Sequence, residues 1–134
     1  MAEKIDRPTI LVADDDEEIR RIVRKLLEKN GYHVIEARDG EEALSLLIEE
    51  TPQGVILDVM MPTLTGWEIC KYARTHPAYE KTAILMLTGI GRTVNEMTSP
   101  LYGADAYLDK PFELVELKNT LSRILAERGA ERGA

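Results

Sequence analysis

Short apolar runs alternate with longer amphipathic stretches along the chain. Thr9-Ile10-Leu11-Val12-Ala13, Gly54-Val55-Ile56-Leu57 and Ala83-Ile84-Leu85-Met86-Leu87 are free of charge and bounded by turn residues. Runs of this kind predict strands buried on both faces, as in a parallel sheet. His33 to Ala37 and Ala106 to Leu108 predict two shorter strands. Between the runs, apolar residues recur at helical spacing. Ile19, Ile22, Val23, Leu26 and Leu27 make one stripe, Ala43, Leu44 and Leu47 a second, and Leu114, Leu117, Leu121, Ile124 and Leu125 the last. A further helix opens at Thr65-Gly66-Trp67-Glu68 and ends near His76-Pro77.

Local signals set the boundaries. Asp16 is expected to cap the first helix, and Asn30-Gly31 to end it with a left-handed residue. Asp39-Gly40-Glu41-Glu42 and Thr65-Gly66-Trp67-Glu68 both read as capping boxes, and Thr51-Pro52 stops the second helix. A helix from about Thr93 to Tyr102 is expected to be short, shifted or mobile. Gly89, Gly91 and Pro100 all disfavour it, and Gly103 ends it. The strand–helix alternation, repeated five times, predicts an α/β fold: a parallel sheet with helices on both faces. The expected domain is 9–126. Residues 1–8 form a polar N-terminal tail, and 127–134, with its Glu-Arg-Gly-Ala repeat, a disordered one.

Charge alters this picture at three strand ends. Asp14 and Asp15 close the first strand, Asp58 the third, and Lys110 follows the fifth, just before Pro111. Ligands of open α/β sheets bind beyond the carboxyl ends of the strands. Three acids gathered there repel one another unless a cation joins them, which implies a metal site with a basic partner. The blander reading of Asp14 to Asp16 alone is a solvated helix start. It does not account for Asp58 at the end of an apolar strand. His33 and His76 read as structural. Tyr107 alone reads as a half-buried aromatic, and Trp67, Cys70 and Met60-Met61 as packing.

The 134 residues carry a net charge of -7, which excludes a whole-chain basic footprint for nucleic acid. One cysteine excludes an internal disulfide. No apolar stretch approaches the roughly 20 residues that span a bilayer, and the polar start lacks a signal-peptide core. A cytoplasmic location is the default expectation.

Four motifs, in order and each at a predicted strand end, carry a resemblance. They are Ile10-Leu11-Val12-Ala13-Asp14-Asp15-Asp16, Leu57-Asp58-Val59-Met60-Met61-Pro62 with Gly66, Leu87-Thr88-Gly89, and Ala106-Tyr107-Leu108-Asp109-Lys110-Pro111-Phe112. From about Thr9 to Leu125 the chain resembles the receiver domain of two-component response regulators. The resemblance implies a flavodoxin-like, doubly wound (βα)5 fold with strand order 2-1-3-4-5. It implies that Asp58 accepts a phosphoryl group from a sensor histidine kinase or phosphotransfer protein. Mg²⁺ would be held by Asp15 directly, by Asp14 through water, by Asp58 and by the Met60 backbone carbonyl. Lys110 and Thr88 would contact the phosphate, and Lys110-Pro111 would be a cis peptide. Thr88 and Tyr107 would act as a switch, altering the face made by the helix before the fifth strand, that strand and the last helix.

On this reading the chain is not an enzyme, beyond weak self-phosphorylation and autodephosphorylation. It would act through protein contact as a monomer or weak dimer, with neither nucleic acid nor membrane as a direct partner. No output segment is expected after the last helix, as in a stand-alone regulator or a part of a larger one. Met60 and Ile90 stand two residues beyond Asp58 and Thr88 and cannot orient water by a hydrogen bond, so slow loss of phosphate is expected. Two rivals stand beside it. One is a pseudo-receiver that docks partners without taking phosphate. The other is an aspartyl-phosphate phosphatase of the haloacid dehalogenase type, which is disfavoured because Met60 stands where that family has a second aspartate.

Overall fold

The computed structural model describes residues 7–89 and 103–129. Its elements in chain order are β1 (Thr9–Ala13), α1 (Glu17–Lys29), β2 (His33–Ala37), α2 (Gly40–Glu50), β3 (Gly54–Asp58), α3 (Gly66–Arg74), a 3-10 turn (Pro77–Tyr79), β4 (Ala83–Thr88), β5 (Ala106–Asp109) and α4 (Leu114–Arg128). The helix expected from Thr93 to Tyr102 lies outside the described residues.

The five strands are parallel and ordered β2-β1-β3-β4-β5, as the resemblance implies. β3 and β4 are buried along their whole length. Alternate strand residues feed two separate cores. Ile10, Val12, Ile56, Leu85 and Leu87 pack with Val23 and Leu27 of α1 and Leu117, Leu121 and Ile124 of α4. Leu11, Ala13, Val55, Leu57, Ile84 and Met86 pack with Ala43 and Leu47 of α2 and Ile69 and Ala73 of α3. Period-two alternation thus works in an unbroken apolar run because helices cover both faces.

Most caps follow the sequence. The Asp16 carboxylate accepts from the Glu18 and Ile19 N–H groups, and Thr65 and Glu68 form a reciprocal capping box. Gly31 takes φ +91°, and the Tyr32 N–H returns to the Leu27 carbonyl, closing the end of α1. Three local expectations differ. Asp39 caps α2 by accepting from the Glu42 N–H, but the Glu42 carboxylate takes the N–H of Arg38, so the box closes one residue early. Met60 is exposed, not packed as expected. The last helix runs to Arg128, two residues past the expected end. Arg128 is held there by Asp105 and the Glu80 carbonyl, and Gly129 follows at φ +68°.

That last contact belongs to a clasp at the amino ends of the strands. Asp105 accepts from Arg74, from Arg128 and from the Ile84 N–H at 2.8–2.9 Å. Arg74 also donates to the carbonyls of Gly103, Tyr79 and Thr82. The clasp joins α3, β4, the entry to β5 and α4. The opposite, carboxyl end of the sheet is left to the acids.

Candidate functional site

The carboxyl ends of β1 and β3 are neighbours in the sheet, so Asp14, Asp15 and Asp58 converge. One carboxylate oxygen from each lies within 4.8 Å of the others. Asp14 is fully buried, Asp58 nearly so, and Asp15 exposed. Four contacts hold Asp14. Its N–H donates to the Ala37 carbonyl, Oδ1 accepts from the Asp16 N–H, and Oδ2 accepts from Lys110 Nζ at 2.9 Å. Its carbonyl accepts from Arg20 Nη1 at 2.7 Å.

Lys110 reaches the cluster from the end of β5. Its Nζ is 3.5 Å from Asp58 Oδ1. Its own N–H donates to the Thr88 carbonyl at 2.7 Å, which ties it to β4. The peptide that follows, Lys110-Pro111, is cis. Burial alone would push the ammonium down, but the hydrogen bond and charge of Asp14, then Asp58, hold it above its ordinary range.

The Asp58 carboxylate is strained electrostatically. Burial pushes the Asp58 pKa up, and the negative charge of Asp14 adds to that. Lys110 and the Met60 backbone N–H pull it back only part of the way, leaving it at about 6. The charged form of Asp58 is therefore short of positive charge. A hard divalent ion suits the gap: three carboxylates supply oxygen ligands, and the exposed Asp15 side leaves room for water. The donor set and the unbalanced charge thus fit Mg²⁺.

The loop that follows Asp58 is tied down by backbone hydrogen bonds. The Val59 N–H donates to the Leu87 carbonyl and the Gly66 N–H to the Val59 carbonyl, both at 2.9 Å. A Cβ on Gly66 would stand 2.5 Å from the Asp58 carbonyl oxygen. Farther along, the loop docks on the start of α2. The Gly40 N–H donates to the Pro62 carbonyl, and a Cβ on Gly40 would meet the Leu64 carbonyl oxygen at 2.1 Å. The Glu41 N–H donates to the hydroxyl of Thr63, itself at φ 72°.

The other expected residues lie in register. Thr88 ends β4, is buried, and pairs with Asp109 of β5. Tyr107 is half-buried against the core on the α2–α3 side. Ile90 lies outside the described residues. Sequence reasoning missed Arg20, whose partners are Asp14, just past the end of β1, and Glu36 of β2. It also missed the loop-to-α2 contact at Gly40.

Comparison with known proteins agrees with this geometry. Residues 10–122 match the model of the response regulator receiver domain. The chain belongs to that family. As a receiver it is 41% identical over 125 residues to the response regulator MprA of Mycolicibacterium vanbaalenii, covering 93% of this chain and 53% of that protein. Its backbone is similar to that of the chemotaxis response regulator CheY4 of Vibrio cholerae, with TM-score 0.82 and 36% identity over 88% of this chain and 98% of the other. The receiver domain of the Francisella response regulator 1452 gives TM-score 0.83 and 32% identity over 90% of this chain and 98% of that chain. The receiver spans about half the length of the first curated relatives it matches.

Proposed function

We propose that this receiver takes a phosphoryl group on Asp58 from the phosphohistidine of a sensor kinase or phosphotransfer protein, with Mg²⁺ bound, and passes the change on through protein contact. The observation that carries the reading is the buried Asp58 carboxylate, set between the acid pair and Lys110 at the end of β3. An Asp58 oxygen attacks phosphorus, the P–N bond breaks, and the imidazole nitrogen keeps the electron pair. Asp14, Asp15, Asp58 and the Met60 carbonyl would hold Mg²⁺, which screens the phosphoryl charge during transfer. Lys110, freed in part from Asp14, pairs with one phosphate oxygen as a point charge. Thr88 offers its hydroxyl to another, and Tyr107 follows Thr88 in the switch.

The donor would approach over an apolar groove of about 340 Å³ beside Lys110, lined by Ile19, Ile22, Pro111, Phe112 and Leu114. The output face would include β5, α4 and the segment before β5. Among the described residues no helix is long and apolar enough to cross a membrane, which suits work in the cytoplasm.

Labelling with a small acyl phosphate donor tests the reading. Wild type should incorporate one phosphoryl group in MgCl2 and none in EDTA, and Asp58→Ala should incorporate none. Failure of the wild type to label would favour a phosphate-independent docking module. Steady turnover of phosphomonoesters would point to a phosphatase.

A further inference from the structure

We propose that Arg20 is a positioning residue for the metal-binding corner, and that it sets the affinity of the receiver for Mg²⁺ without touching the ion. The inference rests on the reading of Asp14, Asp15 and Asp58 as the Mg²⁺ site.

The carbonyl that Arg20 holds at 2.7 Å belongs to the peptide joining Asp14 to Asp15. Asp14 has three other anchors, and its place does not depend on Arg20 alone. Asp15 is exposed, and the peptide plane before it fixes the N–Cα bond from which its side chain is set. Arg20 is itself fixed. Its Nε donates to Glu36 Oε1 at 3.0 Å, and its side chain is 12% exposed. Glu36 Oε2 accepts from Arg24 at 2.6 Å, and Arg24 Nε donates to Glu28. Burial would push the Glu36 carboxyl up, but the hydrogen bonds from Arg24 and Arg20 outweigh it and hold it below its ordinary range. Glu36 therefore stays charged and keeps the guanidinium aimed at the Asp14 carbonyl. An alternating chain of charge runs from solvent at Glu28 to the acid corner.

Arg20 is a cation near a cation site, and this makes the inference testable by sign. If its charge dominated, removing it would tighten Mg²⁺ binding, because like charges repel. If its hold on the peptide dominates, removing it loosens Asp15 and weakens binding. Partners that orient metal ligands from behind are worth about 10- to 100-fold in affinity.

The test is a MgCl2 titration of the full ¹⁵N-labelled chain, following amide shifts near Asp15, Asp58 and Met60. Arg20→Gln should raise the Mg²⁺ Kd about tenfold. Arg20→Lys keeps the charge and loses the fork, and should also bind more weakly; it decides the matter if Arg20→Gln does not fold. Arg24→Gln, which breaks only the outer pairs, should bind within about twofold of wild type. Unchanged or tighter binding in Arg20→Gln and Arg20→Lys would overturn the inference while leaving the metal site intact. Absence of saturable shifts in the wild type would instead sink the metal reading itself.

Discussion

At the scale of single residues, Asp58 is where burial and like charge cost the folded state stability. Its folded pKa of about 6 lies above the ordinary 3.8. The folded state therefore binds the proton more tightly than the unfolded chain. The stabilisation from that proton is complete below about pH 4 and is lost as pH rises through 6. In EDTA, Asp58→Asn should be more stable than wild type by on the order of 2 kcal/mol at neutral pH, with the gap closing below about pH 4. Urea unfolding at several pH values checks this. A gap that is flat with pH would mean that Asp58 carries no such burden. MgCl2 should narrow the gap at neutral pH, since it relieves the same repulsion. Asp58 and its acid partners are legible in the sequence because each ends an apolar run. Arg20 is not legible, because it lies on a helix face among other arginines and its partners are brought to it by two strands.

Elements are where the sequence speaks most clearly. Each apolar run becomes a strand, and each stripe among the described residues becomes a helix. The central strands β3 and β4 are buried along their length and leave almost no position for a charge, whereas β2 at the sheet edge carries Glu36. Boundaries that depend on one hydrogen bond are less legible. Glu42 chooses the Arg38 N–H over that of Asp39, and Thr51 ends α2 at φ 41°, a left-handed conformation that its type does not announce. The glycines that matter cannot be told from ordinary caps. Gly66 is needed because the Asp58 carbonyl passes where a side chain would begin, and Gly40 because Leu64 does. Gly66→Ala should lower stability by about 1–3 kcal/mol and slow labelling of Asp58, because the Asp58 backbone must move to admit the methyl group. Gly40→Ala should lower stability by a similar amount. Urea midpoints and labelling rates measure both. An alanine accepted without loss at Gly66 would show that the loop yields freely.

Across the whole molecule, the two ends of the sheet are built for opposite purposes. The carboxyl end gathers like charges and leaves them underpaid by the protein. The amino end sets opposite charges together, with Asp105 accepting from both Arg74 and Arg128. Asp105→Ala would leave two guanidinium groups and the Ile84 N–H without that acceptor. It should cost about 3 kcal/mol, read as a lower urea midpoint with the slope unchanged. Labelling of Asp58 in the folded fraction should persist, because the acids lie at the other end. Parallel loss of labelling and stability would mean that the ends are not independent. This division is invisible in the sequence: the partners of Asp105 lie 31 and 23 positions away, and only the strand order brings them together.

One bond described at the site has a wider consequence. Lys110 and Thr88 come from different strands, yet the N–H of the first is fastened to the carbonyl of the second. On the proposed reading, in which both residues meet the phosphate, this bond couples the backbone of one to that of the other. On that reading, a ligand drawing on the Lys110 ammonium alone would also load the Thr88 backbone. A movement begun at either residue would then be felt by the other, so that the two strand ends share one response.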